Sequence, residues 1–225
     1  MNRRKLLKTL LVLAAVVWLA LNLDGKPGAP PVHGEALKML QAFAPDFNIK
    51  QALDVIPLGN KHLFVPYEDE DGNRGNSFMA WERFKWRIAR VSTDTSPVVW
   101  HSGLGDHAKK AIVWNLAPGK NITELSLYFI VERNAGSSGN HDLYFPRIQL
   151  ERKISPDNMS YGVLPFPEEW EQFSKLPEIS YVGWIHRYEN KAADPSAIVN
   201  SSSRSISNGM IVTRNIRPMD EAELE

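Results

Sequence analysis

The chain has 225 residues, with 26 basic and 26 acidic side chains and no cysteine. This composition excludes thiol catalysis and cysteine-based metal sites, and the balanced charge argues against a protein that binds nucleic acid through bulk charge. A domain of this length can bury its own hydrophobic core without crosslinks.

The N-terminus has the pattern of a membrane-inserted segment. Arg3, Arg4, Lys5 and Lys8 precede an uncharged run from Thr9 to Leu23. Basic residues at the entry of an apolar segment stay on the cytoplasmic side. Residues 1–23 are therefore predicted to form a single-pass anchor in the inner or plasma membrane, with the rest of the chain outside the cytosol. The apolar residues expected in the bilayer are Leu6, Leu10, Leu11, Val12, Leu13, Val16, Val17, Trp18, Leu19, Leu21 and Leu23.

Signal cleavage with secretion is the alternative to an anchor. The uncharged run is short for a span of about 20 residues and long for a signal-peptide core of roughly 7–15 residues. Signal peptidase needs small residues at the first and third positions before the cut. A cut after Ala20 puts Trp18 at the third position, and a cut after Ala29 is followed by Pro30. The sequence thus favours an uncleaved anchor, and the absence of cysteine is typical of a bacterial envelope protein.

The remaining chain divides into a linker, one domain and a tail. Residues 24–33 are rich in proline and glycine, which predicts a spacer that does not pack on the domain. The exported β-rich domain is predicted at residues 34–219, and the acidic tail at 220–225 is expected to fray. Without the four N-terminal cations, the exported part has 22 basic and 26 acidic residues.

The first half of the domain starts with helical spacing and changes to alternation. Leu37, Leu40 and Phe43 predict a helix over Gly34–Ala44, and a less regular second helix is expected over Asp46–Val55. The alternating part predicts strands at His62–Glu68 and Phe84–Ile88, although the second stretch also partly fits a helix with Phe78, Trp81, Phe84 and Ile88 on one face. Two short apolar strands are predicted at Pro97–His101 and Ala111–Leu116. A hairpin turn is expected at Asp71-Gly72.

The second half contains the clearest hairpin. Leu125, Leu127, Phe129 and Val131 alternate with polar residues, and Leu143–Ile154 follows with the same period, which predicts an antiparallel pair with one solvated face. The later elements are a loop over Asn134–Asp142, a short helix after Pro167, a strand over Tyr181–Tyr188, a Ser-rich loop over Ser196–Asn208 and a last strand over Met210–Ile216. The predicted fold is mainly β, either an antiparallel sandwich or a β-rich α+β domain with two or three short peripheral helices.

One segment combines aromatic and basic residues in a way that suits an acidic ligand. Trp81, Arg83, Lys85 and Arg87 lie within a ten-residue stretch that also contains Phe84 and Trp86. Cations could supply charge and rings could supply stacking. The simpler interpretation is a strand that buries Phe84, Trp86 and Ile88 and exposes the basic residues.

Metal sites and catalytic groups have weaker support. His101, Asp106, His107 and His141 are the candidate metal ligands, but their spacing matches no zinc pattern. The acidic run Glu68–Asn73 fits a hairpin turn better than a calcium loop. A glycoside-cleaving pair of carboxylates would come from Glu124, Glu132, Glu151, Glu168 and Glu169, and nothing in the sequence selects two of them.

These patterns favour a binding protein over an enzyme. The sequence predicts a membrane-tethered extracytoplasmic protein without catalytic activity or cofactor, whose partner is another envelope protein, as in an inhibitor or immunity protein. A carbohydrate- or cell-wall-binding module with exposed tryptophans is one alternative. An envelope hydrolase with carboxylate or His–Asp chemistry, drawing on His101, Asp106, His107, His141 and Asp142, is another.

Overall fold

Three β-sheets pack face to face in series and form most of the molecule. The computed structural model describes residues 8–18, 26–102, 109–116, 122–132, 136–138, 141–143, 147–154, 160–176, 179–188, 191–192, 204–207 and 212–224. Pairing is antiparallel except between the short strand Arg217–Pro218 and its neighbour Ile179–Tyr188. The prediction of a mainly β domain is therefore confirmed.

The strands are numbered along the chain, and the members of each sheet are given below. The first sheet contains β1 (Ile49–Ala52), β2 (Ile56–Pro57), β3 (His62–Asp69), β4 (Arg74–Glu82), β5 (Lys85–Ser92) and β15 (Ser205–Ser207). The middle sheet contains β6 (Val98–His101), β7 (Lys110–Asn115), β12 (Tyr161–Pro165) and β16 (Val212–Asn215). The third sheet contains β8 (Ile122–Glu132), β11 (Ile148–Ile154), β13 (Ile179–Tyr188), β14 (Lys191–Ala192) and β17 (Arg217–Pro218). A separate two-stranded ladder is formed by β9 (Gly136–Ser138) and β10 (His141–Leu143).

The helices are short and lie outside the sheets. An N-terminal helical segment, α1, is described over residues 8–18. The other two α-helices of the described chain are α2 (His33–Phe43), close to the predicted helix, and α3 (Glu168–Phe173), which follows Pro167 as expected. Short 3₁₀ helices occupy Pro45–Phe47 and Glu221–Leu224.

The helix predicted at Asp46–Val55 is wrong. Asn48 takes a left-handed conformation with φ of 48° directly after the 3₁₀ turn, which ends helical geometry there. The following residues form β1, which pairs antiparallel with β3. Backbone pairing at the edge of a sheet has overridden a weak helical pattern.

The β3–β4 hairpin closes as the sequence predicts. Gly72 has φ of 81°, and Asp69 Oδ1 accepts hydrogen bonds from the backbone N–H groups of Asp71 (3.0 Å) and Asn73 (2.7 Å). The Asp69 carboxylate therefore caps its own turn, which is the arrangement expected of a solvated hairpin.

The helix α2 covers the outer face of the first sheet. Ala36 and Leu40 are fully buried there and pack in one cluster with Leu63, Val65 and Met79. The apolar face of α2, which repeats every 3.6 residues, thus packs against apolar side chains that occur at every second residue of the strands beneath it.

The middle sheet is buried on both faces. Val98, Trp100, Ala111 and Val113 pack against the first sheet, where they meet residues such as Phe78. Their neighbours in β6 and β7 (Val99, Ile112 and Trp114) pack instead with the third sheet. Double burial explains why these two strands are continuous apolar runs without alternation.

A buried amide joins the first sheet to the middle sheet. The Asn115 side chain is fully buried and donates from Nδ2 to the carbonyl oxygens of Tyr67 (3.2 Å) and Gly75 (2.7 Å). Its Oδ1 accepts a hydrogen bond from Arg74 Nη1 at 3.3 Å. Beside it, Tyr67 donates its hydroxyl to the Ser92 carbonyl at 3.0 Å. A polar group is tolerated here because its partners are supplied by neighbouring strands.

Gly75→Ala is expected to destabilise the protein by about 3 kcal/mol, because the interior has no space for the added methyl group. A Cβ on Gly75 would lie 2.2 Å from Tyr67 Cζ and 2.7 Å from the Ser92 carbonyl oxygen. Thermal unfolding should show a decrease in Tm of about 10 °C. Gly34→Ala is the matched control, since a Cβ at this helical position meets nothing within 4 Å. Equal Tm values for the two variants would contradict the packing described here.

The third sheet contains the hairpin predicted from alternation. Strand β11 pairs antiparallel with β8 in continuous register from Ile148↔Val131 to Ile154↔Leu125. The expected solvated face is wrong for β8, because Ser126, Tyr128 and Ile130 are buried as well as the apolar set. Ile185 of the neighbouring strand β13 belongs to this second face, and Met219 and Leu224 from the C-terminal residues pack onto it.

The C-terminal residues contribute one strand to each of the three packed sheets. Strand β15 pairs with β5, β16 pairs with β6, and β17 pairs with β13. The Ser-rich segment predicted as a loop thus includes the exposed edge strand β15.

The acidic tail is attached to the third sheet, so the expectation of fraying is wrong for residues 220–224. Glu221 accepts a hydrogen bond from Arg187 Nη2 at 2.6 Å, and Arg147 Nη1 donates to the Glu223 carbonyl at 2.6 Å. Arg217 also pairs with the Glu223 carboxylate. The hydrogen bond to Glu221 and a second pairing with Glu124 raise the pKa of Arg187.

The helix α1 exposes apolar side chains around its circumference. Its seven large hydrophobic residues are 52–65 % exposed, and they are Leu10, Leu11, Val12, Leu13, Val16, Val17 and Trp18. Within the described residues, no helix is long and apolar enough to cross a membrane. Leu6, Leu19, Leu21 and Leu23 of the predicted anchor lie outside the described residues.

Candidate functional site

The β4–β5 hairpin contains all four residues that the sequence singled out for ligand binding. Strand β4 ends at Glu82, β5 begins at Lys85, and the two turn residues are Arg83 and Phe84. Both have positive φ values, 48° and 65°, as the two central residues of a type I′ turn require. Such values are uncommon for residues with a Cβ, and Asn or Gly usually occupies these positions. Two bulky residues therefore form this turn, and neither of them is a residue that usually marks such a turn in a sequence.

The turn places Phe84 in solvent rather than in the core. Its side chain is 50 % exposed, whereas the sequence interpretation buried it with Trp86 and Ile88. That interpretation is wrong for Phe84 because the alternation begins only at Lys85, after the turn. Ile88 is buried as expected, and Trp86 is half-buried.

Two tryptophans face each other across the hairpin. Trp81 and Trp86 are register partners, and their ring centroids lie 5.6 Å apart in an edge-to-face arrangement. Trp86 Nε1 donates to the carbonyl oxygens of Gly28 (3.2 Å) and Ala29 (3.0 Å). A Cβ on Gly28 would lie 3.2 Å from Trp81 Cη2, so the chain runs close against this ring.

The linker is therefore part of the folded domain, and the expectation of an unpacked spacer is wrong for its described residues. Pro31 is buried, and Pro27, Gly28 and Pro30 border a small cavity of about 230 Å³ together with Trp86. The composition of the segment indicated only that it would be extended. Trp86, which binds the linker, lies 58 residues after Gly28 and 57 after Ala29, so local patterns could not reveal this contact.

A wider groove lies between the hairpin and helix α2. Its volume is about 770 Å³, and its lining residues are Met39, Ala42, Phe43, Glu82, Arg83, Lys85, Trp86, Arg87 and Ile88. Met39, Phe43 and Trp86 also pack onto the core cluster beneath α2. The groove thus combines apolar surface with the basic residues of the hairpin, which suits a ligand that has both apolar and acidic groups.

The basic residues of the hairpin have no ion-pair partner among the described residues. Arg83 and Lys85 are exposed and Arg87 is half-buried. Within the described residues, none of these three lies within 4.0 Å of a carboxylate oxygen. Arg187 in the third sheet, in contrast, pairs with both Glu124 and Glu221. The hairpin cations are therefore available to an external anion.

The candidate metal ligands do not form a described site. His101 ends strand β6, where burial lowers its pKa and the nearby charges of Arg214 and Lys110 lower it further, partly opposed by Glu171. Asp106 and His107 lie outside the described residues, and only the backbone of His141 is described, in β10. No group of three or more metal-ligating side chains occurs in the described part of the chain.

The candidate carboxylates serve other roles. Glu124 pairs with Arg187 and Lys153, Glu132 with Arg147, and Glu151 accepts the Tyr128 hydroxyl at 2.8 Å. Burial by itself raises the pKa of Glu124, but hydrogen bonds from Ser126 and Arg187 outweigh it, so the pKa is lowered. A general acid for glycoside cleavage needs a raised pKa. Glu168 and Glu169 are exposed at the start of α3.

The six tryptophans from Trp81 onward belong to the scaffold of the domain. Trp100, Trp114, Trp170 and Trp184 are at most 6 % exposed, and Trp81 and Trp86 are half-buried beside the linker. A sugar-binding platform needs rings that are open to solvent. None of these six rings is open in this way, so the carbohydrate-binding hypothesis loses its main support.

Comparison of the chain with family models, with curated proteins and with solved structures found no match.

Proposed function

We propose that this chain is a non-enzymatic binding protein, tethered to a membrane by its N-terminal segment, whose β-rich domain binds another envelope protein outside the cytosol. The observation that carries the proposal is the exposure of α1. A helix that is apolar on all sides requires an apolar environment, and its seven large hydrophobic residues are not buried by the three sheets. The basic residues before it favour a cytoplasmic N-terminus.

The groove between α2 and the hairpin is the proposed binding surface. The apolar residues on its α2 side, Met39, Ala42 and Phe43, suit a protein segment with apolar side chains. The hydrogen bonds from Trp86 to Gly28 and Ala29 hold this groove close to the tether. Tethering raises the effective concentration of the domain toward other membrane components, so that high intrinsic affinity is unnecessary.

Filling the groove is expected to release the partner. Ala42 is exposed and lines the groove, so Ala42→Trp should occupy it and weaken capture at least tenfold, equivalent to about 1.4 kcal/mol. The measurement is quantitative crosslinking of the full chain in intact membranes, followed by mass spectrometry. Gly34→Trp is the matched control, because it adds the same side chain to open space on the same helix.

Two outcomes would contradict the proposed function. One is the absence of any stoichiometric partner from membranes that contain the wild-type chain. The other is equal capture by the Ala42→Trp and Gly34→Trp variants, which would place the partner on a different surface.

A further inference from the structure

We infer that the tip of the β4–β5 hairpin docks onto an anionic phospholipid surface, with Phe84 in the headgroup region and Arg83, Lys85 and Arg87 on lipid phosphates. The inference rests on the proposed membrane tether and adds a second contact between the domain and the bilayer. It identifies what the exposed phenylalanine and the unpaired cations bind.

The first argument is distance. The uncharged run of the N-terminus ends at Leu23, and Gly28, whose carbonyl accepts a hydrogen bond from Trp86, follows five residues later. Five residues span at most about 18 Å even when fully extended. Phe84 is only two residues from Trp86, at the tip of the same hairpin. The hairpin must therefore lie beside the surface from which the tether emerges.

The second argument is the fixed presentation of Phe84. The left-handed conformations of Arg83 and Phe84 cost conformational energy, and a turn of this kind holds its side chains outside the sheet. Phe84 is half exposed, although burying it would be favourable in water. Aromatic residues at exposed positions next to a bilayer are typical of the interfacial region.

The third argument is charge. Arg83, Lys85 and Arg87 have no carboxylate partner within the described residues, and only Glu82 among the groove residues is acidic. The exported part as a whole contains more acidic than basic residues. An anionic surface would therefore attract this side of the domain and repel most of the others. Each basic residue near such a surface changes binding roughly fivefold, so the three together contribute about a hundredfold.

The test places an environment-sensitive fluorophore at the hairpin tip of the full chain. Because the chain has no cysteine, Phe84→Cys creates a single labelling site, and Ile179→Cys, at a position that is 68 % exposed in the third sheet, provides the control. Each labelled chain is reconstituted into phosphatidylcholine vesicles with or without phosphatidylglycerol. We expect a blue shift and quenching by nitroxide-labelled lipid at position 84 in the anionic vesicles, and neither effect at position 179.

Charge variants then test the role of the cations. Arg83→Gln, Lys85→Gln and Arg87→Gln combined should lower the docked population about a hundredfold. Lys109→Gln, Arg152→Gln and Lys175→Gln combined change the net charge equally at exposed positions away from the hairpin and should have little effect. If both triple variants dock equally, the cations of the hairpin do not bind the lipid and the inference is wrong.

Failure of docking can be separated from failure of the tether. A chain that does not float with vesicles in a density gradient contradicts the proposed membrane protein itself. A chain that floats while position 84 stays as accessible to aqueous iodide as position 179 contradicts only the lipid docking. Position 84 could also become shielded only after an envelope protein is added. This outcome likewise overturns lipid docking, because a protein then covers the tip of the hairpin.

Discussion

Replacing Val12 and Val16 together with arginine should release the protein from membranes. Both side chains are exposed on α1, with Val16 at the centre of the uncharged run and Val12 one helical turn before it, and neither contributes to the core of the three sheets. An arginine at the centre of an inserted helix costs about 2.5–3.5 kcal/mol, so two of them oppose insertion by about 6 kcal/mol. This corresponds to a change of roughly ten-thousandfold in the insertion equilibrium.

The measurement is the fraction of full-length chain that remains in membranes after alkaline carbonate washing. Wild type is expected in the pellet and the double arginine variant in the supernatant. Val12→Ala with Val16→Ala is the matched control, since it shortens the same side chains without adding charge and should stay in the pellet. Retention of the arginine variant in the pellet would show that α1 does not hold the protein in the bilayer.

Trp170→Ala should cause a large loss of stability in the core between the middle and third sheets. Trp170 is fully buried, and its ring lies 5.7 Å from Phe129 in a stacked arrangement and 5.7 Å from Phe166 in an edge-to-face arrangement. Removing a buried tryptophan leaves a cavity and costs about 3–5 kcal/mol. We expect Tm to fall by about 10–15 °C, measured by calorimetry.

Gln172→Ala tests the same helix without opening a cavity. Gln172 is exposed in α3, so its truncation should change the free energy of unfolding by less than about 0.5 kcal/mol. If the two variants unfold at the same temperature, α3 does not seal the core between the middle and third sheets. A loss with Gln172→Ala alone would contradict the described orientation of this helix.

Local periodicity predicted the elements whose partners are close in sequence. The β8–β11 hairpin and helix α2 follow directly from alternation and from the spacing of Leu37 and Leu40. The apolar runs in β6 and β7 were also recognisable as strands. Periodicity cannot tell which surface covers a strand, so the burial of Tyr128 beneath the C-terminal residues was not predictable.

The candidate site was predictable in its residues but not in its geometry. The sequence offers Trp81, Arg83, Lys85 and Arg87 as candidates for an acidic ligand beside the simpler interpretation of a half-buried strand, and the structure places them in the groove or next to it. The turn at Arg83 and Phe84 was missed because it lacks the glycine or asparagine that usually marks a type I′ turn. The docking of residues 28 and 29 on Trp86 depends on a contact across the chain that no local pattern encodes.

The positions of the C-terminal strands have a consequence for when the three sheets are completed during folding. Each of the three sheets is incomplete until a late strand of the chain pairs with it. The first sheet needs β15, the middle sheet β16 and the third sheet β17. Such distant pairings make folding slow and leave one edge strand of each sheet unpaired until these strands are in place. Completion of all three sheets is therefore a late step in folding that depends on one short part of the chain, the part that contains β15, β16 and β17.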